Sequence, residues 1–268
     1  MKITNAIQFF YRDVGGYLYH NPGNKHAIIL CKGGPSMGDD GKKEIYSKIS
    51  SKLGYSVIVP DYLGSGRSGG LNFTIHSSVK TISIIEEMLV KNDAYVDCWS
   101  NTKRKLNIKH ILLLGSSWGG TMVGLYFHFY PQSCIQNIVT VAGVLDYNDT
   151  EAKKYGQETD REFWAQITNG WKYYYRNVER SDWKPLVLQS DSSFNPMNHM
   201  ATLQHKRVLL VHGTKDKVVS WQRSREYYDR FRRQHPQADI TLKLFSSNHM
   251  NIRNMRVFNY ITSHFPKK

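Results

Sequence analysis

The chain has 268 residues, and 36 Lys and Arg against 22 Asp and Glu give a formal net charge of +14. A 40% hydrophobic share with 13% aromatics excludes a disordered chain. No run reaches the ~18–20 apolar residues of a membrane span. Three cysteines (Cys31, Cys98 and Cys134) form no metal-ligand spacing, and an odd number makes a poor disulfide framework, so no metal is expected. The segment Met1-Lys2-Ile3-Thr4-Asn5 leads to Arg12 and Asp13 rather than to an apolar signal core, which predicts a cytoplasmic protein.

In chain order, Ala6–Asp13 and Tyr17–His20, split by Gly15-Gly16, read as a leading hairpin. Nearly continuous apolar runs then recur at Ala27–Cys31, Val57–Val59, Ile111–Leu114, Ile138–Val141 and Val208–Val211. Strands of that kind are buried on both faces, as in a parallel sheet covered by helices. Helical stretches are predicted at roughly 40–53, 77–92, 119–130, 220–234 and 251–264, so strand and helix alternate. Ile240–Phe245 alternates apolar and polar residues and suits a strand nearer the edge. From about 145 to 205 no sheet strand is legible, and three of the six tryptophans (Trp164, Trp171 and Trp183) fall there with Tyr173-Tyr174-Tyr175. That segment reads as a helical cap inserted over the ligand edge of a single domain spanning 1–268.

The basic residues are scattered apart from Arg223, Arg225, Arg230, Arg232 and Arg233, which share an amphipathic helix with Tyr227, Tyr228 and Phe231. That cluster reads as a solvated helix face. No nucleic-acid-binding signature accompanies it, so no nucleic acid is expected. An anionic membrane surface or an acidic acyl carrier remains a further class of partner for the basic surface.

Gly115-Ser116-Ser117-Trp118-Gly119-Gly120 directly follows the Ile111–Leu114 run and opens a helix. A serine on a tight strand-to-helix turn needs small neighbours, and the turn lifts its hydroxyl to the carboxyl edge of the sheet. A nucleophilic serine also needs a base and an acid that orients the base. Asp216 lies in the loop after Val208–Val211, and His249 lies in the loop after Ile240–Phe245, before the terminal helix. Of the 11 histidines, His235 and His264 sit at helix ends, and His212 ends a strand as a buried, hydrogen-bonded residue. Charge developing on a substrate oxygen needs preorganised donors. Cys31-Lys32-Gly33-Gly34-Pro35 follows the first buried run, so the amides of Gly34 and Trp118 are the expected oxyanion hole.

Gly115-Ser116-Ser117-Trp118-Gly119-Gly120, Gly33-Gly34-Pro35, and Asp61-Tyr62-Leu63-Gly64-Ser65-Gly66-Arg67-Ser68 together resemble the α/β-hydrolases. Within them they look most like the proline iminopeptidase group and related serine hydrolases. The resemblance implies an α/β-hydrolase fold, with a mostly parallel central sheet flanked by helices. It also implies Ser117 as nucleophile, Asp216 as acid, His249 as base, and Gly34 with Trp118 as oxyanion donors. Asp61–Ser68 would be a bracing loop, with Arg67 an ion-pair partner. The iminopeptidase pattern reads His-Gly-Gly-Pro-Gly, whereas this chain has Lys32 and Ser36 at the first and last positions.

The expected activity is therefore a serine hydrolase that cleaves a small ester, thioester or amide through an acyl-enzyme, with no cofactor. An iminopeptidase-like aminopeptidase acting on peptides and a non-catalytic binding protein on the same fold are the alternatives. Trp164 and Trp171 are expected to line the acyl or aromatic part of the substrate site.

Overall fold

The computed structural model describes residues 6–34, 38–147, 160–170, 173–178, 180–189 and 193–265. It opens on β1 (Ile7–Tyr11) and β2 (Val14–Tyr19), which pair antiparallel with Tyr11 opposite Val14. The turn is thus Arg12-Asp13, with Arg12 at φ 48°, and not the expected Gly15-Gly16. Those two glycines lie inside β2. A Cβ on Gly16 would sit 2.4 Å from the Val59 carbonyl oxygen, so the missing side chain serves close strand packing rather than a turn.

The alternation then runs β3 (His26–Cys31), α1 (Glu44–Leu53), β4 (Tyr55–Pro60) and α2 (Ile75–Val90). Helix α2 starts earlier than expected because Thr74 caps it, with Ser77 completing the reciprocal capping box. Two short strands, β5 (Tyr95–Asp97) and β6 (Thr102–Arg104), come next and were not expected. They are followed by β7 (His110–Ser116), α3 (Gly119–Phe129) and β8 (Asn137–Val141). In the insertion the described residues form α4 (Asp160–Ala165), a π turn at Gln166–Gly170, α5 (Arg180–Gln189) and a 3-10 helix at Pro196–Leu203. The chain returns to the sheet with β9 (Arg207–Gly213), α6 (Trp221–Gln234), β10 (Ile240–Phe245) and α7 (Met255–His264).

The sheet order is β10-β9-β8-β7-β3-β4-β2-β1-β5-β6. From β10 to β4 every neighbouring pair is parallel, and from β4 to β6 every pair is antiparallel. The parallel part is buried on both faces, as the continuous apolar runs require. Ile28 and Ile29 are both fully buried, yet they join separate clusters on opposite faces. One cluster takes Val79, Ile82 and Ile85 of α2, Met122 and Val123 of α3, and Tyr227 and Phe231 of α6. The other takes Ile49 of α1 with Val257, Phe258 and Ile261 of α7. Each such aliphatic side chain contributes about 1.5–3 kcal/mol by leaving water. Because the strands are parallel, the carboxyl ends of β3, β7, β9 and β10 open onto one edge, and their loops carry the candidate site. Among the described residues, no helix is long and apolar enough to cross a membrane.

Candidate active site

Ser117 sits immediately after β7 with a positive φ of 54°, a conformation that costs a non-glycine residue on the order of 1–3 kcal/mol. The surroundings hold it there. Its amide donates to the Val141 carbonyl at 2.9 Å, and its own carbonyl accepts from Gly120 at 2.8 Å and Val144 at 3.1 Å. A Cβ on Gly115 would lie 2.3 Å from the Gly119 carbonyl oxygen, and one on Gly119 would lie 2.1 Å from that of Cys31. Only a glycine-flanked serine can make this turn between β7 and α3.

Asp216 and His249 are brought together by the parallel pairing of β9 with β10, which runs to Gly213 opposite Phe245. Beyond that point the two loops stay joined, because Thr214 donates to the Phe245 carbonyl (2.8 Å) and Lys215 to that of Ser247 (3.0 Å). The Asp216 side chain is fully buried. Its Oδ1 accepts the amides of Val218 (2.8 Å) and Val219 (2.9 Å). Its Oδ2 lies 2.7 Å from His249 Nδ1 and 3.3 Å from His212 Nε2. Burial alone would raise the carboxyl pKa, but the hydrogen bonds from His212 and His249 outweigh it and hold the group well below the usual carboxylate range. An ionised Asp216 accepts from Nδ1–H of His249, which leaves Nε2 free to accept. That Nε2 is 3.1 Å from Ser117 Oγ. The structure thus unites all three residues expected from the sequence.

His212 is fully buried, as expected, with Nδ1 2.7 Å from Ser224 Oγ and Nε2 2.9 Å from the Val219 carbonyl oxygen. A carbonyl only accepts, so Nε2 carries the proton, and that same N–H points toward Asp216. The residue thereby acts on the site through the acid, which its strand-end position alone did not reveal.

On the opposite side of Ser117 lies the loop after β3. A Cβ on Gly33 would approach Ser117 Cβ to 2.7 Å, and one on Gly34 would approach the Tyr175 hydroxyl to 3.0 Å and the Trp118 ring to 3.2 Å. Among the described residues, neither the Gly34 amide nor the Trp118 amide donates to another backbone group. Of the two expected oxyanion donors, Trp118 directly follows Ser117, and Gly34 lies against the Trp118 ring, one residue beyond the Gly33 that touches Ser117. Pro35 and Ser36 lie outside the described residues.

Behind that loop is a buried charge cluster that sequence reasoning saw only in part. The fully buried Asp61 carboxylate accepts from Lys32 Nζ (3.1 Å), Arg67 Nε (2.9 Å), the Arg67 amide (3.0 Å) and the Tyr174 hydroxyl (3.0 Å). Desolvation opposes its charge, but Lys32 and Arg67 outweigh it and hold the pKa below the usual range. Burial pushes the Lys32 ammonium down, against the pull of Asp61. Tyr174 comes from the insertion. Around it the chain pairs backbone to backbone with the bracing loop: Gly66 to Tyr174 (3.1 Å), Arg176 to Gly64 (2.8 Å) and Phe73 to Arg176 (2.8 Å). The Arg176 guanidinium binds the carbonyls of Gly66, Ser68, Gly69 and Gly70. The Tyr173-Tyr174-Tyr175 run was the visible signal of this attachment; its partners were not.

Of the tryptophans, Trp118 and Trp183 are buried with ring centres 5.1 Å apart, and Trp183 Nε1 donates to the Phe73 carbonyl at 3.0 Å. Trp164 is half-buried and packs against the apolar core, while Trp171 lies outside the described residues. All three cysteines are free. Among the described residues, no group of three or more His, Cys, Asp or Glu is placed to hold a metal ion.

Comparison with known proteins adds three findings. Residues 26–182 match the family model described as alpha/beta hydrolase fold. A proline iminopeptidase from Lactobacillus delbrueckii subsp. lactis is 25% identical over 134 residues, covering 50% of this chain and 40% of that protein. The match thus spans 40% of the length of that curated relative. Among solved structures, an esterase from Pyrococcus furiosus superposes with a TM-score of 0.62 at 17% identity, over 97% of this chain and 87% of that one. A monoacylglycerol lipase from Paleococcus ferrophilus gives 0.58 at 16% identity, over 92% and 95%.

Proposed function

The chain belongs to the alpha/beta hydrolase fold family, and on that footing we propose that it is a serine hydrolase acting on a small ester, thioester or amide. The observation that carries this reading is one imidazole bridging two partners: His249 Nδ1 to Asp216 at 2.7 Å and Nε2 to Ser117 at 3.1 Å. Ser117 Oγ attacks the substrate carbonyl while His249 Nε2 takes its proton, and Asp216 keeps the ring in the tautomer that can accept. The oxygen of the tetrahedral intermediate is held by the amides of Gly34 and Trp118. His249 then protonates the departing alcohol, thiol or amine, and water hydrolyses the acyl-enzyme by the same route reversed. No metal or organic cofactor takes part in this sequence. The helical insertion selects the acyl group, with Trp164 one of the side chains that shape the choice.

The similarity to proline iminopeptidases favours a second reading, an aminopeptidase that releases an N-terminal residue. A non-catalytic binding role would give no reason for a buried, ionised Asp216 to orient His249. Turnover of a panel of para-nitrophenyl esters and of prolyl and other aminoacyl-naphthylamides tests all three. Hydrolysis of the esters, lost in Ser117→Ala, is the expected result. Prolyl-naphthylamide as the preferred substrate selects the aminopeptidase, and no turnover of either class selects the binding protein.

A further inference from the structure

A groove of about 650 Å³ has His249 in its wall. The loops after β9 and β10 form its sides, bringing Lys215 and Lys217 from one and Asn248, Asn251 and Asn254 from the other. Among the described residues, no carboxylate lines it. Lys215 and Lys217 flank Asp216 in sequence and are exposed, whereas the Asp216 side chain between them is fully buried. Asp216 turns its oxygens onto the amides of Val218 and Val219 and onto His249, so its charge is spent away from the groove. Residues 240–268 contain no Asp or Glu. Among the described residues, neither lysine makes an ion pair with a carboxylate.

The groove's place beside His249 says which part of a substrate it takes. The proton that His249 receives from Ser117 is handed to the leaving atom, so that atom must come within hydrogen-bond reach of Nε2. The leaving-group half of the substrate therefore extends along the wall that His249 forms. A cleft lined by charge of one sign focuses its field on a ligand of the other, and asparagine side chains add donors for oxygen atoms. We propose that this groove binds the leaving-group half of the substrate and that this half carries an anionic group, a carboxylate or a phosphate. The inference rests on the Ser117–His249 reading and narrows it to esters or thioesters of an acidic alcohol or thiol component.

Phenyl acetates whose leaving phenol carries, at the meta position, a neutral amide, a carboxylate or a phosphate make the test, since that position changes the charge with little effect on intrinsic reactivity. The kcat/KM for the two anionic esters should exceed that for the amide by about tenfold or more at low salt, and the ratio should shrink as ionic strength rises. In a Lys215→Ala, Lys217→Ala double variant the ratio should fall to near one. The larger of the two anionic ratios identifies carboxylate or phosphate as the group recognised. Calorimetric titration of Ser117→Ala with the same intact esters reads the preference without turnover. Hydrolysis of the amide ester with a ratio near one in the native protein overturns the groove proposal. An anionic preference in the titration with no hydrolysis of any ester overturns the hydrolase reading and leaves the groove standing. Absence of both overturns the two together.

Discussion

Lys32 Nζ lies 3.1 Å from Asp61 Oδ1, an ion pair that ties the end of β3 to the end of β4 immediately before the Gly33-Gly34 loop. The lysine occupies the position where the iminopeptidase pattern has histidine. Arg67 and Tyr174 share the same carboxylate, so the pair belongs to a network rather than standing alone. Lys32→Met leaves Asp61 with those two partners and should cost about 1–3 kcal/mol. Asp61→Ala leaves two cations facing each other without their anion and should cost more, about 3–5 kcal/mol. Urea unfolding of the two variants measures the order, and a Lys32 variant less stable than the Asp61 variant would contradict it.

Acid stability follows from the same carboxylates. Asp61 and Asp216 are both held below their ordinary range when folded, so the unfolded chain binds their protons first. Their contribution is complete above the unfolded value of about 3.9 and is lost as pH falls through the lower folded values. Unfolding free energy should therefore drop steeply on acidification below about pH 4, and Asp61→Asn should flatten that slope. Stability that rose on acidification in this window would refute the assignment.

Asp216→Asn should fold and lose most of its turnover. The amide oxygen would keep the Val218 and Val219 amides, which puts the amide nitrogen toward His249 Nδ1. Two donors cannot face each other, so the imidazole takes the tautomer with its proton on Nε2 and can no longer accept from Ser117. The analogous change in the best-studied triad costs ~10⁴-fold in kcat. Steady-state ester kinetics read the loss, and near-normal turnover would move the acid elsewhere.

Trp164→Ala should change which acyl groups are preferred. Loss of one apolar contact shifts discrimination by about 1–3 kcal/mol, or ~10–200-fold, for bulky acyl chains while acetyl esters change little. A folded variant with the native ranking across a chain-length series would make Trp164 part of the core packing alone.

The parallel sheet was legible because most of its strands are continuous apolar runs. The chain order Ser117, Asp216, His249 was legible because each residue follows a readable strand, the first two a continuous apolar run and His249 the alternating Ile240–Phe245. Strands β5 and β6 were not. Each has three residues, β6 is Thr102-Lys103-Arg104 and wholly exposed, and the pair is held by tertiary alignment on β1 rather than by any local pattern. Gly15-Gly16 signalled a turn because glycine is the commonest turn residue, but here its missing side chain admits β4. The partners of Asp61 were hidden for a related reason. Lys32 lies 29 residues from it and Tyr174 lies 113, and no periodicity links residues that only the sheet and the insertion bring together.

Identifying the residue that carries the covalent bond tests the account most directly. The protein is treated with a fluorophosphonate, digested, and mapped by mass spectrometry. A single adduct on Ser117, absent from Ser117→Ala and unchanged in the neighbouring Ser116→Ala, is the predicted result, together with a fall in kcat of ~10³-fold or more in the Ser117 variant. Stoichiometric labelling that persists in Ser117→Ala would contradict it.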